Sequence, residues 1–257
     1  MELTPNRFTH AIANGDKQVG VWVSLCSNTA AEVIATAGYD WALIDMEHSA
    51  NDYHSVLSQL QAFEAYQTTA LVRVEWNDAV VVKRLLDLGA PGLLFPMIQS
   101  VEEAERAVAA TRYPPRGVRG MAGASRATGF GRIKDYVTRC EDELTVLLQV
   151  ESRAALEQAE AIGTVDGVSG IFFGPADIAA DLGHVGDPMH PEVWSEIRKA
   201  AQKLIARGVP VGTLVTDPAF AAELLNEGFT FVANAIDTSL LARAADTALV
   251  QTKDHLK

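Results

Sequence analysis

The run WALIDMEHSA, residues 41–50, opens as an apolar strand and changes character within four positions, ending in Asp45, Glu47 and His48. An unbroken apolar start of this kind suits a strand buried on both faces, as in a parallel sheet covered by helices. Seven other runs share it: VGVWVSL (19–25), TALVRV (69–74), GLLFPM (92–97), TVLLQV (145–150), GIFFG (170–174), VPVGTLV (209–215) and FTFVANA (229–235). Each is followed by a segment of helical periodicity. Asn28 stands as a cap ahead of AAEVIATA, with Gly38 as its stop; Ser152 before RAALEQAEAIG and Asp217 before PAFAAELLNEG repeat the device, the last with proline at the first helical position. Alternating strand and helix eight times within 257 residues predicts one (β/α)8 barrel over residues 1–257. An open doubly wound sheet is the second reading, but no G-x-G-x-x-G follows the first strand and no G-x-x-x-x-G-K-[ST] loop occurs.

Composition narrows the function. A formal net charge of -12 disfavours binding to nucleic acid or an anionic membrane through the bulk field. The opening MELTPNRFTH has no apolar stretch behind a basic start, and no run is long enough to span a bilayer, so a cytoplasmic protein is expected. Cys26 and Cys140 have neither metal nor redox spacing and read as plain thiols.

Barrel enzymes work at the carboxyl ends of their strands, where the loops converge on one mouth. Asp45, Glu47 and His48 end the second strand, Arg73 lies near the end of the third, Gln149 and Glu151 end the fifth, and Asp177 follows the sixth. Gln149 and Glu151, two apart, point to the same side. In GPADIA, the loop around Gly174 leads into a helix whose first amides could hold a carboxylate. Glu151 and Asp177 form a plausible hard-cation site for magnesium or manganese. His48 with Asp45 reads as a base and its orienting acid. The plainer alternatives are that Glu47 is a loop acid and that Arg73 simply pairs with it. Lys17, Lys83, Lys134, Lys199, Lys203, Lys253 and Lys257 all fall in helices, loops or tails, which disfavours imine catalysis. RYPPRGVRGMAGASRATGFGR (112–132) carries five arginines and no acid; it either guides an anionic substrate over the mouth or is an ordered subunit contact or a solvated loop, and the contact is favoured. His10, His54 and His255 read as ordinary surface or terminal residues, while His184 and His190 flank a loop where turn and substrate-contact roles stay open.

LIDMEHS with LVRVEWND, LLDLGAPGLLFPMIQS, RYPPRGVRG, LLQVES and IFFGPADIAADLG resemble, in order and across nearly the whole chain, the HpcH/HpaI aldolases, the class II pyruvate-dependent aldolases. The resemblance implies a metal-dependent barrel that cleaves 4-hydroxy-2-oxo acids to pyruvate, or a close 2-oxo acid such as hydroxypyruvate, and an aldehyde, and runs the reverse addition. It implies Mg2+ or Mn2+, with Co2+ as a third candidate, held by Glu151 and Asp177, and no organic cofactor. His48 and Asp45 match the base dyad, Arg73 the arginine that binds pyruvate and stabilises the enolate, and Ala176 and Asp177 the carboxylate-binding turn. A hexamer with an exchanged C-terminal helix is implied, with Asp87 matching an aspartate that reaches a neighbour's site. Met46 stands where a glycine is usual, Val74 where a proline is, Asn234 and Ala235 precede the D-T pair in place of the usual residues, and Phe130 lies near a position often held by tryptophan. The rivals are another metal-enolate lyase, acting on a coenzyme A thioester or decarboxylating oxaloacetate, and a non-catalytic oligomeric barrel.

Overall fold

The computed structural model describes residues 1–256; Lys257, expected in a tail, lies outside the described residues. The eight strands are β1 (Gln18–Val23), β2 (Trp41–Asp45), β3 (Thr69–Arg73), β4 (Gly92–Phe95), β5 (Thr145–Val150), β6 (Gly170–Phe173), β7 (Val211–Leu214) and β8 (Phe231–Ile236). They pair in parallel in chain order, and β8 returns to β1 to close the barrel, which rules out the open sheet. The helices are α1 (Arg7–Asn14), α2 (Asn28–Thr36), α3 (Tyr53–Phe63), α4 (Ala79–Asp87), α5 (Val101–Thr111), α6 (Tyr136–Arg139), α7 (Arg153–Gly163), α8 (Pro175–Asp181), α9 (Pro191–Ala206), α10 (Pro218–Glu227) and α11 (Asp237–Asp254).

Strand ends depart from the expected runs for identifiable reasons. β1 stops at Val23 because the Ser24 and Leu25 amides donate to the Asp237 carboxylate at 2.9–3.0 Å instead of continuing the ladder. β4 stops before Pro96 and Met97, where φ of Met97 turns to +52°. β7 starts after Pro210, whose ring nitrogen has no proton to donate. Ser27, not Asn28, caps α2, its side chain accepting from the Ala30 amide; Asn28 is already helical. Ser152 and Asp217 cap α7 and α10 as expected.

Side-chain alternation divides the core in two. Trp22, Trp41, Leu43, Leu71, Leu94, Leu147, Phe172, Phe231 and Ala233 fill the barrel interior, and α1 closes its base with Phe8 and Ile12. Phe8 meets Trp41 and Phe231 with ring centroids 5.5 and 5.6 Å apart. Gly20 makes room for this layer: a Cβ there would stand 2.1 Å from the Trp41 ring. The intervening strand residues face outward into a larger shell shared with the helices. Each fully buried aliphatic or aromatic side chain in these layers contributes about 1.5–3 kcal/mol.

α11 is the exception to this packing. Only Asp237 at its start is buried, and Leu240, Leu241, Leu249 and Val250 face solvent. No helix is long and apolar enough to cross a membrane among the described residues.

Candidate active site

Asp45 and Arg73 are register partners at the ends of β2 and β3, and both follow inward-facing apolar residues by steps of two. They are therefore delivered to the mouth side by side. The Arg73 Nε donates to Asp45 Oδ1 at 2.8 Å and Nη2 to Oδ2 at 2.7 Å, a bidentate pair with Asp45 2% and Arg73 7% exposed. Nη1 lies 2.7 Å from Glu47 Oε2. Beneath the guanidinium is the Trp22 ring, its centroid 5.4 Å away. Burial pushes the Asp45 carboxyl up, but the Arg73 hydrogen bonds and charge, with the Glu47 and His48 amides, outweigh it and hold the group below the usual carboxylate range. Burial likewise opposes the Arg73 charge, and Asp45, Glu47 and Glu151 overcome it.

This arrangement corrects the expected pairing of His48 with Asp45. Asp45 spends both oxygens on Arg73 and meets His48 only through the backbone amide, at 3.4 Å. The His48 ring is 69% exposed at the mouth, with Glu47 Oε1 3.9 Å from its Nε2. The plainer expectation that Arg73 pairs with Glu47 holds, with Asp45 as a second partner. Glu47 is pushed up by burial, an effect that Asp45 and Asp177 reinforce and Arg73 and His48 oppose.

At the end of β5, Gln149 and Glu151 share a face as their spacing requires. The Gln149 Nε2 donates to Glu151 Oε2 at 2.6 Å, and the Met97 amide donates to Glu151 Oε1 at 2.7 Å. Burial lifts the Glu151 carboxyl to about 7; the Met97 amide and Gln149 work against this, and the charges of Asp177 and Glu47 add to it. Gln149 Oε1 is buried with no hydrogen-bond partner. Gly174 sits against this pair: a Cβ there would be 2.5 Å from Glu151 Oε2 and 3.0 Å from Gln149 Nε2. Asp177 is in the first turn of α8, solvent-exposed, and the helix's own bonds begin at the Ile178 amide, which donates to Gly174 O. The Ala176 and Asp177 amides precede that point.

Two expected residues or segments lie elsewhere. Asp87 ends α4, at the base of the barrel, where Arg119 Nη2 reaches it at 3.2 Å. It contributes nothing to this chain's own mouth. The arginine segment also runs along the base: Arg126 donates to Leu88 O at 2.8 Å and pairs with Glu64, while Arg112 and Arg116 pair with Asp166 and Glu141. Guiding an anion over this chain's own mouth is therefore excluded, because the segment lies at the wrong end and four of its five arginines are matched by acids.

Sequence reasoning missed Trp22, Met97 and Asp237. Alternation in VGVWV placed Trp22 inward and could have found it. Asp237 is 3% exposed and ties the end of β8 to the β1 loop through the Ser24 and Leu25 amides; only its place just past the last strand signalled it.

A cation site composed of oxygen donors suits what is present. Buried Glu151 with a raised carboxyl, neighbouring Asp177 and the unpartnered Gln149 oxygen are hard ligands in a region where carboxylates repel one another.

The chain is 48% identical over 246 residues to a pyruvate aldolase of Rhizobium etli, covering 96% of this chain and 97% of that protein. It is 48% identical over 242 residues to a 4-hydroxy-2-oxo-heptane-1,7-dioate aldolase of Klebsiella pneumoniae, covering 94% and 91%. Among solved structures, an HpcH/HpaI aldolase/citrate lyase family protein from Burkholderia cenocepacia superposes with a TM-score of 0.93 at 39% identity, covering 96% of this chain and 99% of that one. Residues 18–244 match the HpcH/HpaI aldolase/citrate lyase model, a span that contains every strand and every mouth residue described above, and the chain belongs to that family.

Proposed function

We propose that this chain is a divalent-metal-dependent carbon–carbon lyase that cleaves 4-hydroxy-2-oxo acids reversibly to pyruvate, or a close 2-oxo acid such as hydroxypyruvate, and an aldehyde. The observation that carries the reading is Arg73, a buried guanidinium locked by Asp45 and Glu47 in a mouth that also holds Glu151. The names of the relatives from Rhizobium etli and Klebsiella pneumoniae agree with it.

Glu151 and Asp177 would hold the metal, magnesium or manganese by their oxygen character, with cobalt as a third candidate. When bound, that ion supplies Lewis acidity to the 2-oxo acid. The remaining work falls to the chain. Arg73 donates to the oxygen on which negative charge develops as the enolate forms, and because its other faces are clamped it need not reorganise to do so. Gln149 holds Glu151 through Nε2 and offers Oε1 to the site. The Ala176 and Asp177 amides receive the substrate carboxylate. His48, at the open edge, takes the proton of the 4-hydroxyl in cleavage and returns it in addition. Glu47 is the carboxylate nearest its ring and orients the site's water.

The assembly is a homo-oligomer, a hexamer by family likeness, in which α11 with its exposed leucines is exchanged between neighbours and Asp87 approaches a partner's mouth. A cytoplasmic location agrees with two free thiols, Cys26 and Cys140.

Proton-to-deuterium exchange at the methyl group of pyruvate, followed by proton NMR in heavy water, tests the reading without a guess about the aldehyde. Chelator-stripped protein is expected to be inert and to gain exchange when Mn2+ or Mg2+ is restored. Absence of exchange with either ion refutes it.

A further inference from the structure

Beyond the residues already placed in the mouth, His184, His190 and Glu192 bring a ring nitrogen each and a carboxylate oxygen within 4.8 Å of one another. It is the only group of three such donors found among the described residues. They lie in the connection from α8 to α9, in the run GHVGDPMHPEV. Backbone bonds set this loop independently of the three side chains. The His184 amide donates to Ala179 O at 2.7 Å, Asp187 to His184 O at 3.0 Å and His190 to Asp187 O at 3.1 Å. The buried Trp194 pins it from below, Nε1 donating to Pro188 O at 2.9 Å.

The side chains are gathered into one cluster. The two imidazoles stack with centroids 3.5 Å apart and planes 15° from parallel. His184 Nε2 faces Glu192 Oε2 at 2.8 Å, and a cation replaces the proton between them. Donors around a tetrahedral ion stand about 3.3 Å apart at metal–ligand distances near 2.0 Å. Reaching that from the present spread takes rotation of the His190 ring, which gives up one long cap, the Glu192 amide to Nδ1 at 3.3 Å. Arg153 is the opposing cation that faces Glu192; its backbone amide brings the Asp181 carboxylate alongside, at 2.7 Å.

We propose that His184, His190 and Glu192 form a second cation site, with no donor in common with Glu151 and Asp177, for a borderline transition ion such as Zn2+ or Co2+, with the fourth position open to water. Two imidazoles and one carboxylate favour such ions over Mg2+, whereas the oxygen donors of the mouth suit Mg2+. An ion here staples the α8–α9 connection to the first turn of α9, and raises the melting temperature with its own concentration.

Tag-free, chelator-stripped protein carrying Glu151→Gln with Asp177→Asn isolates this site from the mouth. Equilibrium dialysis and calorimetry with Zn2+, and the visible spectrum with Co2+, are expected to show one saturable ion per chain. Adding His184→Ala or Glu192→Gln weakens that binding at least 10-fold. Glu192→Gln keeps the backbone of the turn, so loss of binding there is loss of a ligand. In the wild-type background, His184→Ala leaves Mg2+-supported pyruvate exchange unchanged, which separates this site from the proposed reaction. No saturable ion in the mouth-deleted protein, or equal affinity after His184→Ala, overturns the proposal.

Discussion

Gly174→Ala adds one methyl group where the chain has no space for it. The new Cβ would lie 2.5 Å from Glu151 Oε2, 2.9 Å from the Glu151 Cβ and 3.0 Å from Gln149 Nε2. Ordinary contact begins at 3.4 Å, so the Glu151 carboxylate must retreat by roughly 0.9 Å or β6 must move away from β5. Retreat is obstructed, because Glu151 is held from two sides by the Met97 amide and Gln149 at 2.7 and 2.6 Å. Overpacking of this kind costs about 1–3 kcal/mol, or about 2–12 °C in Tm at this chain length. The functional effect is larger than the structural one, since misplacing a reacting group by about 1 Å lowers rates on the order of 10²-fold. Thermal unfolding, Mn2+ titration and pyruvate methyl exchange are measured on one preparation. The expected result is a folded protein with modestly lower Tm, weaker Mn2+ binding and exchange down about 10²-fold. Wild-type Mn2+ affinity together with wild-type exchange would show that Glu151 is not the group that Gly174 positions.

Arg73→Lys keeps the charge but loses the fork that grips Asp45, and exchange is expected to fall about 10²–10³-fold while Mn2+ affinity changes little; a selective loss of metal binding refutes the assigned role. Arg73→Ala leaves Asp45 buried without its cation, and stability drops by about 3–5 kcal/mol in urea unfolding; an unchanged midpoint would mean the pair adds nothing. His48→Ala slows aldol cleavage by about 10²–10⁴-fold with pyruvate affinity retained, and an unaltered rate removes it as the base. The raised Glu151 carboxyl gives the metal-free protein a pH signature. Its folded form binds the proton more tightly than its unfolded form, so this stability is complete below about pH 4.5 and is lost as pH rises to about 7. The loss is on the order of 2–3 kcal/mol. Denaturation midpoints between pH 5 and 8 should fall in the wild type and flatten in Glu151→Gln; parallel curves in the two proteins would contradict the shift.

The barrel was legible because its determinant is local. Apolar runs such as ALVRV and VLLQV are buried on both faces, and nothing except β8 pairing with β1 is needed to convert eight of them into a closed sheet. Which mouth residues share a face also followed from alternation, as with Gln149 and Glu151. Their partners did not. Asp45 and Arg73 are 28 residues apart, and only the β2–β3 register makes them neighbours; from sequence, His48, three residues away, was the natural partner for Asp45. Similarly, the left-handed backbone at Met97 that aims an amide at Glu151 has no glycine to announce it. For the arginine segment, a contact was the favoured reading, but its place at the base was not legible, because its acids come from distant parts of the chain: Glu64, Asp87, Glu141 and Asp166.

The charges of the mouth support the proposed cation. Arg73 is the one guanidinium among Asp45, Glu47, Glu151 and Asp177, and it is not shared equally. Asp45 takes two of its nitrogens and Glu47 the third. Asp45 is accordingly held ionised, while Glu47 and Glu151 are both pushed up and Glu151 reaches about 7. Asp45 and Glu151 are almost equally buried, at 2% and 3% exposed, so the difference between those two reports where positive charge is missing: on the Glu151 side, next to Asp177. An anionic 2-oxo acid entering such a mouth would meet uncompensated carboxylates on that side, and on the other the N–H groups of Arg73 that Asp45 and Glu47 leave unused. The divalent ion proposed for Glu151 and Asp177 would remove the repulsion at its source and leave the Arg73 clamp untouched. On the proposed assignment, the clamp and the cation site are complementary parts of one device, one rigid from folding and the other completed by its ion.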